Sequence, residues 1–250
     1  MRRWHVDSTE NFQKMKYKCL NHQQEKNRMF ENTDAVIFDL DGTLVDSMWI
    51  WRDIDEEYLA RYGLTMPPNL QQDIGGISIT QTAIYFQKRF GIKDSIEKMI
   101  ADWDEMAMHK YKYEIPLKDG IMTLLTALRA KKIPCGIATS SSNALTKAVL
   151  EARHIEGFFS AVVTGEDIHN GKPNPEIYEI CAKKLGADPH RCLAFEDMVC
   201  GIQAAKGAGM RVCAVEDDFS VKDREEKKQL ADFYIYSYKE IIDEIDRELK

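Results

Sequence analysis

The fold class follows from residues 35–46, which read AVIFDLDGTLVD. Its first four residues are apolar and partly β-branched, which is typical of a strand buried on both faces in a parallel sheet. The strand then runs into Asp39, Asp41 and Gly42, and the glycine lets the chain turn sharply. Buried carboxylates are costly unless they face an open edge, and open α/β sheets bind ligands where their strands end. We therefore predict a ligand site at the end of this strand.

Further along the chain, strand patterns alternate with helical ones, which favours an α/β fold with a parallel sheet. The later predicted strands cover residues 133–138, 161–163, 192–195, 211–215 and 233–235. The predicted core helices cover about residues 120–130, the segment up to about 153, and residues 175–185. Asn174 is the expected N-cap of the last of these helices, with Pro175 in its first position.

The segment from 47 to 114 has a different, helical periodicity, with apolar and charged residues at spacings of three and four. Helices are predicted over about residues 80–90 and 95–113, and no strand pattern interrupts them. We predict an inserted helical cap over residues 47–114, whose core is filled by Trp49, Trp51 and Trp103. Residues 34–46 and 115–250 then form the main domain.

The first 33 residues are rich in Lys and Arg and contain few aliphatic side chains. They could form a basic binding arm, but a poorly ordered arm is the interpretation that this composition favours. A third alternative is that Met29 is the true start of the protein, a few residues before the first strand.

Composition limits the partners that the protein can have. The 250 residues are 44% apolar and carry a net charge of −7, which argues against nucleic acid and an anionic membrane surface as main partners. No apolar stretch is long enough to span a membrane, and no signal peptide is visible. The six cysteines show no C-x-x-C spacing, which indicates buried free thiols in a reducing cytoplasm. We expect a cytoplasmic monomer.

Polar residues follow three of the predicted strands, and a lysine between them comes just before a predicted helix. In chain order these candidate site residues are Asp39, Asp41, Thr139, Ser140, Lys172, Glu196 and Asp197. Each has an ordinary explanation when taken singly, as a surface lysine or a helix cap. Their order, D-x-D, then Thr/Ser, then K-P, then E-D, resembles the four motifs of the haloacid dehalogenase superfamily. The flanking GKPNPEIY and FEDMVCGIQAA resemble the branch with β-phosphoglucomutase and phosphoglycolate phosphatase, and the resemblance covers about residues 34–218.

The resemblance implies a Mg²⁺-dependent phosphoryl transfer. Several carboxylates beside a phosphate dianion would repel each other strongly, and Mg²⁺ with hard oxygen ligands offsets that repulsion. By resemblance, Asp39 is the nucleophile, forms an aspartyl-phosphate and contacts the metal. Asp41 is a ligand through its backbone carbonyl, and its side chain is the general acid and then the general base.

The other matching positions receive supporting roles by the same resemblance. Thr139 and the adjoining Ser140 bind the phosphate with the help of backbone N–H groups. Lys172 neutralises charge between the nucleophile and the phosphoryl oxygens. Asp197 completes the Mg²⁺ shell, and Glu196 is either a ligand or an outer support for the ligands.

The function that these residues indicate is a phosphatase for a small phosphorylated metabolite. A phosphomutase is the alternative, and a catalytically silent phospho-ligand-binding regulator is a third hypothesis. Two departures from the family pattern disfavour the mutase: Trp51 replaces a histidine found in many relatives, and Ile79 replaces an arginine. The predicted loop for substrate specificity consists of Gly75, Gly76, Ile77, Ser78 and Ile79.

Overall fold

The computed structural model describes residues 29–74 and 79–242. Its strands, β1 to β6 in chain order, are Ala35–Phe38, Cys135–Ala138, Phe159–Val163, Cys192–Glu196, Arg211–Val215 and Phe233–Ile235. They form one parallel sheet in the order β3-β2-β1-β4-β5-β6. This topology confirms the predicted α/β fold class with a Rossmann-like core and helical segments.

The helices that the sequence predicts lie close to their predicted positions. In chain order, α1 to α9 are Ile50–Ala60, Leu70–Ile74, Ile79–Phe90, Ile96–Tyr113, Ile121–Ala130, Asn143–Ala152, Glu176–Leu185, Val199–Gly207 and Arg224–Leu230. The N-cap of α7 is Pro175 rather than Asn174, although the Asn174 side chain still accepts a hydrogen bond from the Glu176 N–H at 3.0 Å. Within the described residues, no helix combines the length and the apolar character that crossing a bilayer requires.

Strand β1 lies at the centre of the sheet and is buried on both faces. Val36 and Phe38 belong to the apolar cluster on one face, and Ala35 and Ile37 belong to the cluster on the other. The ring of Phe38 stacks on that of Phe195 in β4, with centroids 5.0 Å apart. Packing on both faces fixes the position of the last residue of β1, and Asp39 follows it directly.

The helical segment predicted as the cap has a different aromatic core from the one that the sequence predicts. Trp103 is buried there, with its ring 5.4 Å from that of Tyr58 and 5.2 Å from that of Phe86. Trp49 and Trp51, however, are 37% and 42% exposed, so the prediction that they fill this core is wrong. Helix α1 buries the face that carries Ile50, and its two neighbouring tryptophans therefore fall outside that face.

The segment before β1 is packed from residue 29 onwards. Met29 and Phe30 are fully buried in the apolar core, although they fall within the predicted arm of residues 1–33. Arg211 also donates hydrogen bonds to the Glu31 carbonyl and to the Thr33 hydroxyl, at 2.7 and 2.6 Å. The predicted arm of residues 1–33 therefore extends too far along the chain, because burial of the large apolar side chains of Met29 and Phe30 stabilises the fold. Residues 1–28 lie outside the described part of the chain.

Asp55 of the cap makes the stability of the protein depend on pH. Burial raises the pKa of this carboxyl from 3.8 to about 6, against the opposing effect of a 2.7 Å hydrogen bond from Gln71. Because this pKa is higher in the folded state than in the unfolded state, protonation of Asp55 favours the folded protein. That contribution to stability is fully present below pH 3.8 and is lost as the pH rises through 6. We expect Asp55→Asn to raise the free energy of unfolding by about 1–3 kcal/mol at pH 7.5.

The advantage of Asp55→Asn should shrink as the pH is lowered from 7.5 towards 4, and urea unfolding at both values measures it. Asp119→Asn is a suitable control, since that carboxylate is 68% exposed. If the stability gained by Asp55→Asn stayed constant across this pH range, or if Asp119→Asn gained as much, ionised Asp55 would not be destabilising the folded protein.

Candidate active site

A buried ion cluster lies at the carboxyl end of β1 and β4. The backbone pairing of Phe38 with Phe195 places Asp39 and Glu196 side by side in the sheet. The ammonium group of Lys172 bonds to both, at 2.6 Å from Asp39 Oδ1 and 2.5 Å from Glu196 Oε1. All three side chains are less than a tenth exposed. Lys172 therefore bridges two neighbouring strand ends, as its position just before α7 allows.

Glu196 is fully occupied as an acceptor. Its Oε1 accepts hydrogen bonds from Lys172 and, at 2.7 Å, from the hydroxyl of Tyr178. Its Oε2 accepts from the backbone N–H groups of Asp197 and Met198, at 3.1 and 3.3 Å. A carboxylate with both oxygens engaged in this way is suited to holding Lys172 in place. Sequence reasoning gave no role to Tyr178, although the I-Y of its motif was part of the resemblance.

Helix α8 approaches Glu196 so closely that only glycine fits at position 201. A Cβ atom there would lie 1.9 Å from Glu196 Oε1, so an alanine must displace the carboxylate and with it the contact to Lys172. We expect Gly201→Ala to lower kcat at least about tenfold and stability by about 1–3 kcal/mol. Steady-state rates and thermal unfolding measure both effects.

Gly157→Ala is the matched control for this substitution, since a Cβ there meets only Arg129 Nη2, at 3.8 Å. If Gly201→Ala behaved like this control, Glu196 would not be needed to hold Lys172.

Asp197 shows that the cluster can hold a cation. It is fully buried, its Oδ1 accepts a 3.1 Å hydrogen bond from Thr43, and its Oδ2 has no partner among the described residues. Asp39, Glu196 and Asp197 each present an oxygen within 4.8 Å of the others. Lys172 bonds to Asp39 and Glu196, whereas Asp197 forms no ion pair among the described residues, and oxygen donors are those that Mg²⁺ prefers. The donor set therefore fits a hard divalent cation.

Burial dominates the ionisation of these groups. It raises the pKa of Asp39 to about 8 against the opposing charge of Lys172, and it raises the pKa of Asp197 well above its usual range. Burial alone would lower the pKa of Lys172, but Asp39 and Glu196 outweigh it and hold that pKa above its ordinary value. Lys172 is thus charged at neutral pH, and a cation beside the carboxylates would favour their ionised forms.

Asp41 lies three residues after the end of β1 and is hydrogen-bonded to hydroxyl groups rather than to Lys172. Its Oδ1 accepts hydrogen bonds from Ser47 Oγ at 2.7 Å and from the hydroxyl of Tyr111 at 2.6 Å. Gly42 follows with a φ of 78°, and a Cβ on it would lie 2.4 Å from Asp197 Oδ2. The turn after β1 therefore requires glycine both for its conformation and for its approach to Asp197.

The neighbouring strand β2 leads into a second loop of polar groups. Thr139 is buried, and its Oγ1 accepts a 3.1 Å hydrogen bond from the N–H of Ser141, which leaves its own proton available to donate. Ser140 follows and is exposed. The loop is supported by Gly165, whose N–H donates to the Ser141 carbonyl at 3.2 Å.

A cavity of about 770 Å³ lies between α1 and the loop after β5. Its lining includes one cation and four carboxylates as well as an indole ring, namely Arg52, Asp46, Glu56, Asp217, Asp218 and Trp49. Sequence reasoning missed Arg52, because an exposed arginine on an amphipathic helix carries no signal of its own. Of the predicted specificity loop, Gly75, Gly76, Ile77 and Ser78 lie outside the described residues, and Ile79 is 39% exposed at the start of α3.

Comparison with known proteins identifies the family. The sequence pattern of the haloacid dehalogenase-like hydrolase family matches residues 36–215, which is more than half of the chain. The chain belongs to that family. It is 31% identical over 189 residues to the fructose-1-phosphate phosphatase YqaB of Escherichia coli, covering 73% of this chain and 96% of that protein.

Other members give a similar picture. A phosphorylated carbohydrates phosphatase of Thermotoga maritima is 29% identical over 71% of this chain and 82% of its own length. Among solved structures, a Thermotoga maritima protein provisionally named β-phosphoglucomutase superposes with a TM-score of 0.77 at 26% identity, covering 86% of this chain and 99% of the other. The prediction that this haloacid dehalogenase-like chain is a phosphoric monoester hydrolase is thereby confirmed at the level of the family.

Proposed function

We propose that this hydrolase is a Mg²⁺-dependent phosphatase that cleaves small phosphorylated metabolites such as sugar phosphates. The observation that carries the proposal is the buried pairing of Asp39 with Lys172 beside Asp197, which has an unpartnered carboxylate oxygen. The named activities of the two relatives, on fructose 1-phosphate and on phosphorylated carbohydrates, support the substrate class.

The metal would be held by Asp39, Asp197 and the backbone carbonyl of Asp41. When bound, it would draw charge from the phosphoryl oxygens and keep the carboxylates ionised. Glu196 is better suited to an outer position, because four donors already occupy its two oxygens. Lys172, which bonds to Asp39 Oδ1, would be the second source of positive charge beside the phosphoryl group.

The chemical steps follow from the two aspartates. The Asp39 carboxylate attacks phosphorus, the bond from phosphorus to the leaving oxygen breaks, and Asp41 gives that oxygen its proton. Asp41 then takes a proton from water, which attacks the same phosphorus and frees Asp39 and inorganic phosphate. Thr139 donates its hydroxyl hydrogen to a phosphoryl oxygen, and Lys172 balances the charge that develops there.

A phosphomutase is the second candidate, favoured by the likeness to the provisionally named β-phosphoglucomutase. A mutase must hold a second phosphate dianion, which requires cationic partners. The cap does supply one such group, Arg52, to the cavity, but four carboxylates line the same space. Lys118 pairs with two of these carboxylates, Asp46 and Asp217, so the charge of this space does not decide between the two candidates. The phosphatase is favoured by the named activities of the two relatives.

Release of inorganic phosphate from p-nitrophenyl phosphate, with and without Mg²⁺, tests the proposal, followed by a panel of sugar and polyol phosphates. A chain that only binds phosphorylated ligands would release none. For the mutase, β-glucose 1-phosphate is supplied with catalytic glucose 1,6-bisphosphate. Glucose 6-phosphate formed much faster than inorganic phosphate would replace the phosphatase with the mutase.

A further inference from the structure

A tyrosine of the cap reaches the proposed general acid. Tyr111 lies in the last full turn of α4, two per cent exposed, and its hydroxyl donates to Asp41 Oδ1 at 2.6 Å. The same hydroxyl lies 3.5 Å from the Ser141 side chain in the loop after β2. A single cap residue thus contacts both polar loops at the sheet edge.

The two donors to Asp41 act on one oxygen only. Tyr111 and Ser47 both bond to Oδ1, and in the described part of the chain Oδ2 accepts no hydrogen bond. A carboxylate held in this way has a fixed orientation and one oxygen free for proton transfer. Hydrogen bonds from Tyr111 and Ser47 strengthen as Asp41 gives up its proton and becomes charged, and proton transfer requires the acid to be held within hydrogen-bonding reach of the leaving oxygen.

The position of Tyr111 connects this orientation to the cap. It comes four residues before Ile115, where the chain returns to the core, and the adjacent Lys110 bonds to Asp53 and Glu57 of α1 at 2.5 and 2.7 Å. Helix α4 is therefore tied to the rest of the cap immediately beside Tyr111. The contact from the Tyr111 hydroxyl to Asp41 therefore links this helix of the cap directly to the proposed general acid.

We propose that Tyr111 is a positioning residue, whose hydroxyl fixes Oδ1 of Asp41 and so directs Oδ2 at the leaving oxygen when the cap is closed. This inference rests on the proposed phosphatase function. A positioning role for Tyr111 has a consequence that a purely structural role would not have, because the need for an oriented acid depends on the leaving group. An alkoxide must be protonated as it leaves, whereas p-nitrophenolate leaves without a proton.

The test compares kcat/KM of wild type and Tyr111→Phe over phosphate esters whose leaving groups differ in basicity. This parameter reports the steps up to release of the leaving group, where Asp41 acts as an acid. For glycerol 3-phosphate we expect a loss of about 10- to 100-fold, the effect of one hydrogen bond to a charged group. For p-nitrophenyl phosphate we expect a change of less than about threefold.

Two further variants complete the experiment. Tyr113→Phe on the same helix is the matched control, since that ring is 70% exposed, and it should change neither rate. Ser47→Ala removes the other donor to Oδ1 and should show the same dependence on the leaving group, which provides a second reading if Tyr111→Phe folds poorly.

Equal losses for both substrates in Tyr111→Phe and Ser47→Ala, or no loss in either, would overturn the inference. These outcomes differ from failure of the proposed function itself. In that case the wild-type enzyme would release no phosphate from any ester, and the inference would fall with it.

Discussion

Replacing Asp39 with asparagine is expected to reduce phosphatase activity by about 10⁵-fold or more, to the limit of detection. An amide does not attack phosphorus, and it removes one of three carboxylates that the cluster offers to a cation. The thermal midpoint of the metal-free variant should stay within a few degrees of wild type, because the wild-type carboxylate is itself costly to ionise in its buried position.

Asp119→Asn serves as the control for this substitution, since it makes the same chemical change at an exposed position. Phosphate release is followed in Mg²⁺ after the variant has been purified and its fold checked by circular dichroism. Activity within tenfold of wild type would show that Asp39 is not the nucleophile.

Replacing Lys172 with methionine should affect both stability and activity. The substitution leaves Asp39 and Glu196 buried without the ammonium group that now lies 2.6 and 2.5 Å from them. We expect metal-free Lys172→Met to lose about 3–5 kcal/mol of stability, the typical cost of breaking a buried ion pair. The loss should be smaller with saturating Mg²⁺, because a cation bound by the remaining carboxylates stabilises the folded state.

Activity of Lys172→Met should fall by about 10²–10³-fold even with saturating metal, since charge on the phosphoryl oxygens is no longer balanced. Lys147→Met, at a side chain that is 77% exposed, controls for the loss of a lysine. Urea unfolding with and without Mg²⁺ separates the two effects. A Lys172→Met protein as stable without metal as wild type would refute the claim that this lysine compensates the buried cluster.

The sheet and the edge that carries the candidate site could be predicted from the sequence, because local pattern and global fold agree there. The run 35–38 is apolar at every position, which is typical of a strand buried on both faces of a parallel sheet. Once β1 is placed, the polar residues after β2 and β4 must meet it at the same edge. The sequence therefore predicted the grouping of Asp39, Glu196 and Asp197, which the geometry shows.

The cap was predicted less well, because its contacts join residues that carry no joint signal. Tyr111 is one of several aromatic residues on an amphipathic helix, and nothing in its spacing indicates that it meets Asp41, 70 positions earlier. Trp51 was expected inside because tryptophan is large and apolar, but its place beside the buried stripe of α1 leaves it 42% exposed. Such contacts depend on how the cap is set on the core.

The most direct test of the account is to identify the residue that carries the phosphoryl group during turnover. Asp41→Asn should accumulate this species from p-nitrophenyl phosphate, because the first step then needs no acid while hydrolysis of the intermediate lacks its base. Rapid acid quench and peptide mass spectrometry are expected to find one phosphoryl group on Asp39 in the presence of Mg²⁺. A phosphoryl group on another residue, or continued turnover with none on Asp39, would contradict the proposed mechanism.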